Sequence, residues 1–146
     1  MFAVVGYGIL LGSPTRMTDL RYGAMFLVAM GVFTAGAIWL SWGVANAGLD
    51  QQRAIASALV ISIGTMGSVA CTWSFLPKTG PRYMLGNSLN MGAVLLNMLL
   101  AAALLVKSKR ENSLRARGGR DYRLENKSDE QIQELGSLHP DFRYAY

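Results

Sequence analysis

Trp39 and Trp42 stand three residues apart and would share one face of a helix. Two indoles so placed could border a bound substrate, or could anchor the chain at a membrane interface. Gly64, Ser68 and Thr72 recur at strict i+4 spacing. Asn90 and Asn97 lie two turns apart, in a stripe with Gly86, Ala93 and Ala101. Gly31 starts a weaker stripe with Thr34 and Ala35, which Ile38 interrupts. The chemistry these residues offer is hydrogen bonding and close approach, not bond making. Cys71 is the only cysteine and His139 the only histidine, so they supply neither a disulfide framework nor a metal constellation. Gly6-Tyr7-Gly8 precedes Gly12, but the spacing is wrong for a phosphate-cradling loop. No nucleophile, base and orienting group come together. The expectation is no enzyme, no cofactor and no metal.

The elements that carry these residues are set by where charge is missing. The chain has 146 residues, 51% hydrophobic and 16% charged. Residues 22–44, 54–76 and 84–106 contain no Asp, Glu, Lys, Arg or His, and each stretch is 23 residues long. A helix of that length spans roughly 34 Å, enough for a hydrocarbon core of about 30 Å. The sequence therefore predicts an all-α membrane protein with three full transmembrane helices. Residues 1–12 are apolar around Phe2–Leu11, which reaches only about 15 Å as a helix. They read as the end of a transmembrane helix whose first half is missing.

In lipid, helices gain nothing from hiding apolar surface, so small residues that permit close approach do the packing. Gly31, Gly64, Gly86, Asn90 and Asn97 are the expected packing positions. An asparagine amide facing lipid would lose its partners at a cost of several kcal/mol. Asn90 and Asn97 are therefore expected to face protein or water.

Nine of the 14 Lys and Arg lie in residues 107–146. Basic residues at a membrane exit mark the cytoplasmic side, so this tail is expected to be cytoplasmic. Arg53 and seven residues in 107–123 then face the cytoplasm, and Arg16, Arg21, Lys78 and Arg82 face outward. The net charge of +5 comes from this cluster and is no argument for nucleic acid. Within the tail, Ser128-Asp129-Glu130-Gln131 has the form of a capping box, and Gly136 suits a helix stop. A short helix over 129–135 is expected. Asn126-Lys127-Ser128 is also a formal glycosylation sequon.

Several segments together resemble one transporter family. They are Arg53-Ala54-Ile55-Ala56-Ser57-Ala58, Ser62-Ile63-Gly64, Thr72-Trp73-Ser74-Phe75-Leu76-Pro77 and Gly80-Pro81-Arg82-Tyr83-Met84-Leu85-Gly86-Asn87-Ser88-Leu89-Asn90. In the tail they are Lys109-Arg110-Glu111-Asn112, Glu134-Leu135-Gly136 and His139-Pro140-Asp141-Phe142-Arg143-Tyr144. The chain resembles the last third of fungal major facilitator superfamily transporters, in the anion:cation symporter branch that includes allantoate and nicotinic acid permeases. The resemblance implies a C-terminal fragment of a twelve-helix fold, with these spans as its tenth to twelfth helices. It also implies that the tenth and eleventh helices line a substrate cavity. Trp39, Trp42, Thr65, Ser68 and Thr72 are then the substrate-cavity candidates. Thr65 departs from the asparagine usual in that branch. The implied partners are the lipid bilayer, the missing N-terminal helices, and a small organic anion with a proton in the full-length protein. No span carries a carboxylate or histidine for proton coupling, so that group would lie in the missing part. Two other readings stay open: a small stand-alone membrane adaptor with a basic tail, and a non-functional truncated gene product.

Overall fold

A computed structural model describes residues 1–125 and 127–146. The sequon residue Asn126 lies outside the described residues. The elements are α1 (Phe2–Gly12), α2 (Thr18–Ala45), α3 (Asp50–Trp73), α4 (Met84–Ala116) and α5 (Asp129–Gln133). Short 3-10 turns occupy Pro77–Thr79, Asp121–Arg123 and Gly136–Leu138. No strand occurs among the described residues.

α2, α3 and α4 are each long and apolar enough to cross a membrane. Their large side chains point outward. Phe33 is 82% exposed, Met66 73% and Leu99 70%. Exposed apolar surface on this scale suits lipid rather than water. The helices also differ from the uncharged stretches at their ends, and α3 stops at Trp73, three residues short of 76. α2 starts four residues earlier than Tyr22, with Asp19 in its first turn, where the helix dipole favours a carboxylate. α3 starts at Asp50 for the same reason, and Arg53 pairs with Asp50 at 3.3 Å. α4 continues ten residues beyond Val106 through strong helix formers, supported by the i,i+4 pair Glu111–Arg115. It stops at Gly118, whose φ of +72° few other residues adopt, while the N–H of Gly119 closes onto the Leu114 carbonyl at 3.0 Å. The capping box forms at α5: the Gln131 N–H donates to Ser128 Oγ, and the Ser128 N–H donates to Gln131 Oε1.

The chain divides into two compact units. The first comprises residues 1–38 and 63–100. Its core is Tyr7, Leu10 and Ala24, packed against Ile9, Val28, Met91 and Val94. α1 lies close on α2 because two glycines allow it. A Cβ on Gly31 would fall 2.9 Å from Ala3 Cβ, and one on Gly6 would fall 2.6 Å from Val28 Cγ2. Arg21 closes the corner by donating to the carbonyls of Leu10 (2.9 Å) and Ser13 (3.3 Å). These lie at the negative end of α1, where a cation belongs.

On the other side of this unit, α3 meets α4 through a small polar cluster. Asn90 is buried at 8% exposure. Its amide donates to the Gly86 carbonyl at 2.8 Å and to Ser74 Oγ at 3.5 Å, and its oxygen accepts from Cys71 Sγ at 2.7 Å. Phe75 covers Gly86, where a Cβ would fall 2.7 Å from the ring.

The second unit comprises residues 39–62 and 101–146. It holds the end of α2, the start of α3, the end of α4 and the tail. The tail folds against these three helix ends. Gly48 is the point of closest approach, where a Cβ would collide with the backbone of Gly136 and Ser137. Gly136 itself has φ +51° and rests on Leu49.

Candidate functional site

A cavity of about 340 Å³ opens in the second unit. α2 contributes Trp39 and Trp42, the turn after it Asn46, and α3 contributes Val60. Leu104, Lys107 and Glu111 line it from α4, at the i+3 and i+4 steps that keep one helix face pointing inward. Tyr144 closes it from the tail. The two indoles sit 5.4 Å apart between ring centres and tilt by 47°. The wall combines aromatic and aliphatic side chains with a few polar and charged groups. That composition suits a small organic solute.

Charged side chains gather around Glu111. Its Oε2 accepts from Arg120 Nη2 at 2.7 Å and its Oε1 from Arg120 Nε at 2.9 Å. Arg115 Nε also donates to Oε1, at 3.2 Å. Glu111 stands beyond the uncharged stretch of α4. The hydrogen bonds from Arg120, then those from Arg115, hold its carboxyl well below the usual range, at about 2. Arg120 is correspondingly shifted upward by the same hydrogen bonds. Lys107 enters no ion pair among the described residues, and Glu111 is already matched by two guanidinium groups. Lys107 therefore offers the cavity wall an ammonium group that is not held in an ion pair.

The sequence candidates distribute unevenly. Trp39 and Trp42 come together in the cavity wall. Thr65, Ser68 and Thr72 belong to the first unit and are exposed there. The Ser68 and Thr72 hydroxyls donate to the carbonyls of Thr65 and Ser68 on their own helix, at 2.8 and 2.9 Å. Gly64 meets nothing within 4 Å, and Asn97 is exposed. Gly31, Gly86 and Asn90 sit at helix contacts. Asn46, Lys107, Glu111 and Tyr144 were not candidates on sequence grounds. Spacing from Trp42 to Asn46, and the quoted segments that contain Glu111 and Tyr144, could have signalled three of them.

The chain is 26% identical over 145 residues to the high-affinity nicotinic acid transporter of Saccharomyces cerevisiae, covering 97% of this chain. It is 25% identical over 144 residues to an uncharacterized transporter of Schizosaccharomyces pombe, covering 96% of this chain. An MFS-type transporter of Hormonema carpetanum is 32% identical over 85 residues, 58% of this chain and 17% of the relative. The chain is related to fungal transporters of the major facilitator superfamily. It spans about a quarter of the length of the first two relatives, 26% of each. No family model and no solved structure matches it. Together with three membrane-length helices, these relatives make it an integral membrane protein. The matches to the first two transporters leave out only a few residues, so most of the tail that closes the cavity is included in the similarity.

Proposed function

We propose that this chain is part of a secondary transporter for small organic anions of the nicotinate and allantoate type, coupled to protons. The supporting observation is the near full-length similarity to transporters, one of them named for nicotinic acid. The cavity is compatible with such a solute. An aromatic or amide-bearing body would rest on Trp39 and Trp42, and its carboxylate would face Lys107. Thr65, Ser68 and Thr72 would contribute hydroxyls from α3 once further helices cover their exposed face. Gly64 and Asn97 would pack against the same further helices. Proton coupling would fall to groups outside this chain, because the uncharged stretches of α2, α3 and α4 hold no carboxylate or histidine. The tail would lie in the cytoplasm, beneath the plasma membrane.

A chimera tests this. The chain replaces the matching quarter of the Saccharomyces nicotinic acid transporter, and uptake of labelled nicotinate and allantoate is measured in yeast lacking its own transporter. Saturable, proton-dependent uptake is expected. Trp39→Ala should raise the half-saturating concentration severalfold, in line with the about 0.5–1.5 kcal/mol of an aromatic contact. A chimera present at the cell surface that carries no small carboxylate would refute the reading.

A further inference from the structure

Two asparagines, one in α4 and one just after α2, grip consecutive residues of the tail. Asn112 of α4 donates to the Tyr144 carbonyl and accepts from the Tyr144 N–H, both at 2.9 Å. Asn46, the residue that follows α2, accepts from the Ala145 N–H at 2.8 Å and donates to the Ala145 carbonyl at 3.3 Å. The same carbonyl accepts from the Trp42 indole N–H at 2.7 Å. These contacts address backbone, not side chain, in the manner of strand pairing. Adjacent residues of an extended chain are about 3.3 Å apart along the strand, so the two grips tie the end of α2 to the end of α4. The Ser137 hydroxyl adds a contact to Gln52 of α3 at 3.4 Å. Between the grips, the Tyr144 side chain forms part of the cavity wall beside Trp39 and Trp42.

We propose that residues 137–146 are a releasable clasp. Docked, the clasp holds the ends of α2 and α4 together, consumes the Trp42 donor and closes the cavity. Released, it frees the Trp42 indole and both asparagine amides and opens the cavity to solvent. The tail as far as the Tyr144 side chain is fixed by charge at Arg115, whereas the Ala145 backbone is held by the neutral groups of Trp42 and Asn46. Each of those is worth about half of a charged one, so release begins at the chain end. The clasp does not depend on what the protein carries.

The test uses the full chain in detergent micelles with Trp73→Phe, so that emission reports only Trp39 and Trp42. Ala145→Pro removes the N–H that Asn46 accepts, and Ala145→Ser keeps it. Acrylamide quenching measures the solvent-accessible share of the emission, and circular dichroism checks helix content. Ala145→Pro should raise the accessible share about fivefold, the factor that one hydrogen bond carries, and Ala145→Ser should leave it unchanged. Asn46→Ala removes the same pair from the helix side and should act like Ala145→Pro. It replaces that variant as the readout if proline lowers helix content. A rise with Ala145→Ser as large as with Ala145→Pro, or no rise with Ala145→Pro or Asn46→Ala, overturns the clasp.

Discussion

Arg115 is the residue on which the tail turns. Its side chain is only 1% exposed. Its guanidinium donates to the carbonyls of Ser137, His139 and Phe142 at 2.9–3.1 Å, and to the Tyr144 hydroxyl at 3.3 Å. It also stacks on the Tyr144 ring at 4.8 Å. Truncation would strand three carbonyls and leave Glu111 with Arg120 alone. Breaking a buried charged network of this kind costs about 3–5 kcal/mol. Arg115→Met is therefore expected to undock the whole tail, seen as rapid trypsin cleavage at Arg123 and Lys127. Arg115→Lys should recover only part of the protection, since an ammonium lacks the planar fork that reaches several carbonyls at once. Acid acts on the same network through Glu111, which also faces Lys107 and Tyr144 in the cavity wall. Its folded carboxyl titrates at about 2, below the ordinary 4.5. The stability this adds is fully present above 4.5 and is lost as pH falls through 2. Tail protection against proteolysis or hydrogen exchange should thus be flat from pH 8 to 5 and decline only below about 4.5.

At the scale of the helices, glycines divide into those that touch something and those that do not. A Cβ at Gly86 would press on Phe75 at 2.7 Å, whereas one at Gly64 would meet nothing. Gly86→Ala should lower the thermal midpoint of the chain in detergent, with overpacking worth about 1–3 kcal/mol. Gly64→Ala should be neutral or slightly stabilising there, because alanine is the better helix former. Equal losses at both would mean that α3 also packs through its Gly64 face. This contrast marks what the sequence could convey. Absence of charge over 23 residues places α2, α3 and α4, because the solvent alone dictates it. The small-residue stripes show which faces are suited to close approach, but not which partner arrives. Gly64, Ser68 and Thr72 look as purposeful in sequence as Gly86 and Asn90, yet it is the latter two that meet α3 or the loop after it. The capping box was legible because its four residues are contiguous. The cavity was half legible. Trp39 and Trp42 announce themselves by spacing, whereas Asn46 and Asn112 act on a backbone about one hundred and about thirty residues away. Such a pairing leaves no periodic trace.

At the scale of the whole molecule, the open question is which way the tail faces. Counting Arg53 and the seven basic residues of 107–123, eight stand near the membrane on the tail side against four on the other. Most of the eight follow α4 directly, the position that biases insertion most strongly. The folded tail modifies this argument. Arg115 and Arg120 are tied to Glu111, so part of the cluster is neutralised after folding. Insertion precedes that folding, so the unpaired count is the relevant one, and the tail is expected in the cytoplasm. Asn126-Lys127-Ser128 reports the answer directly, because glycosylation occurs only in the lumen. Expressed in a eukaryotic membrane, the chain should migrate at its unmodified size, unaffected by glycosidase. A sequon can also be silent because it is hidden by folded structure. The Arg115→Met variant, which undocks the tail, separates the two causes. If the tail is cytoplasmic, Arg115→Met stays unmodified as well. A band shift in Arg115→Met that disappears with Asn126→Gln would place the tail in the lumen and invert every helix.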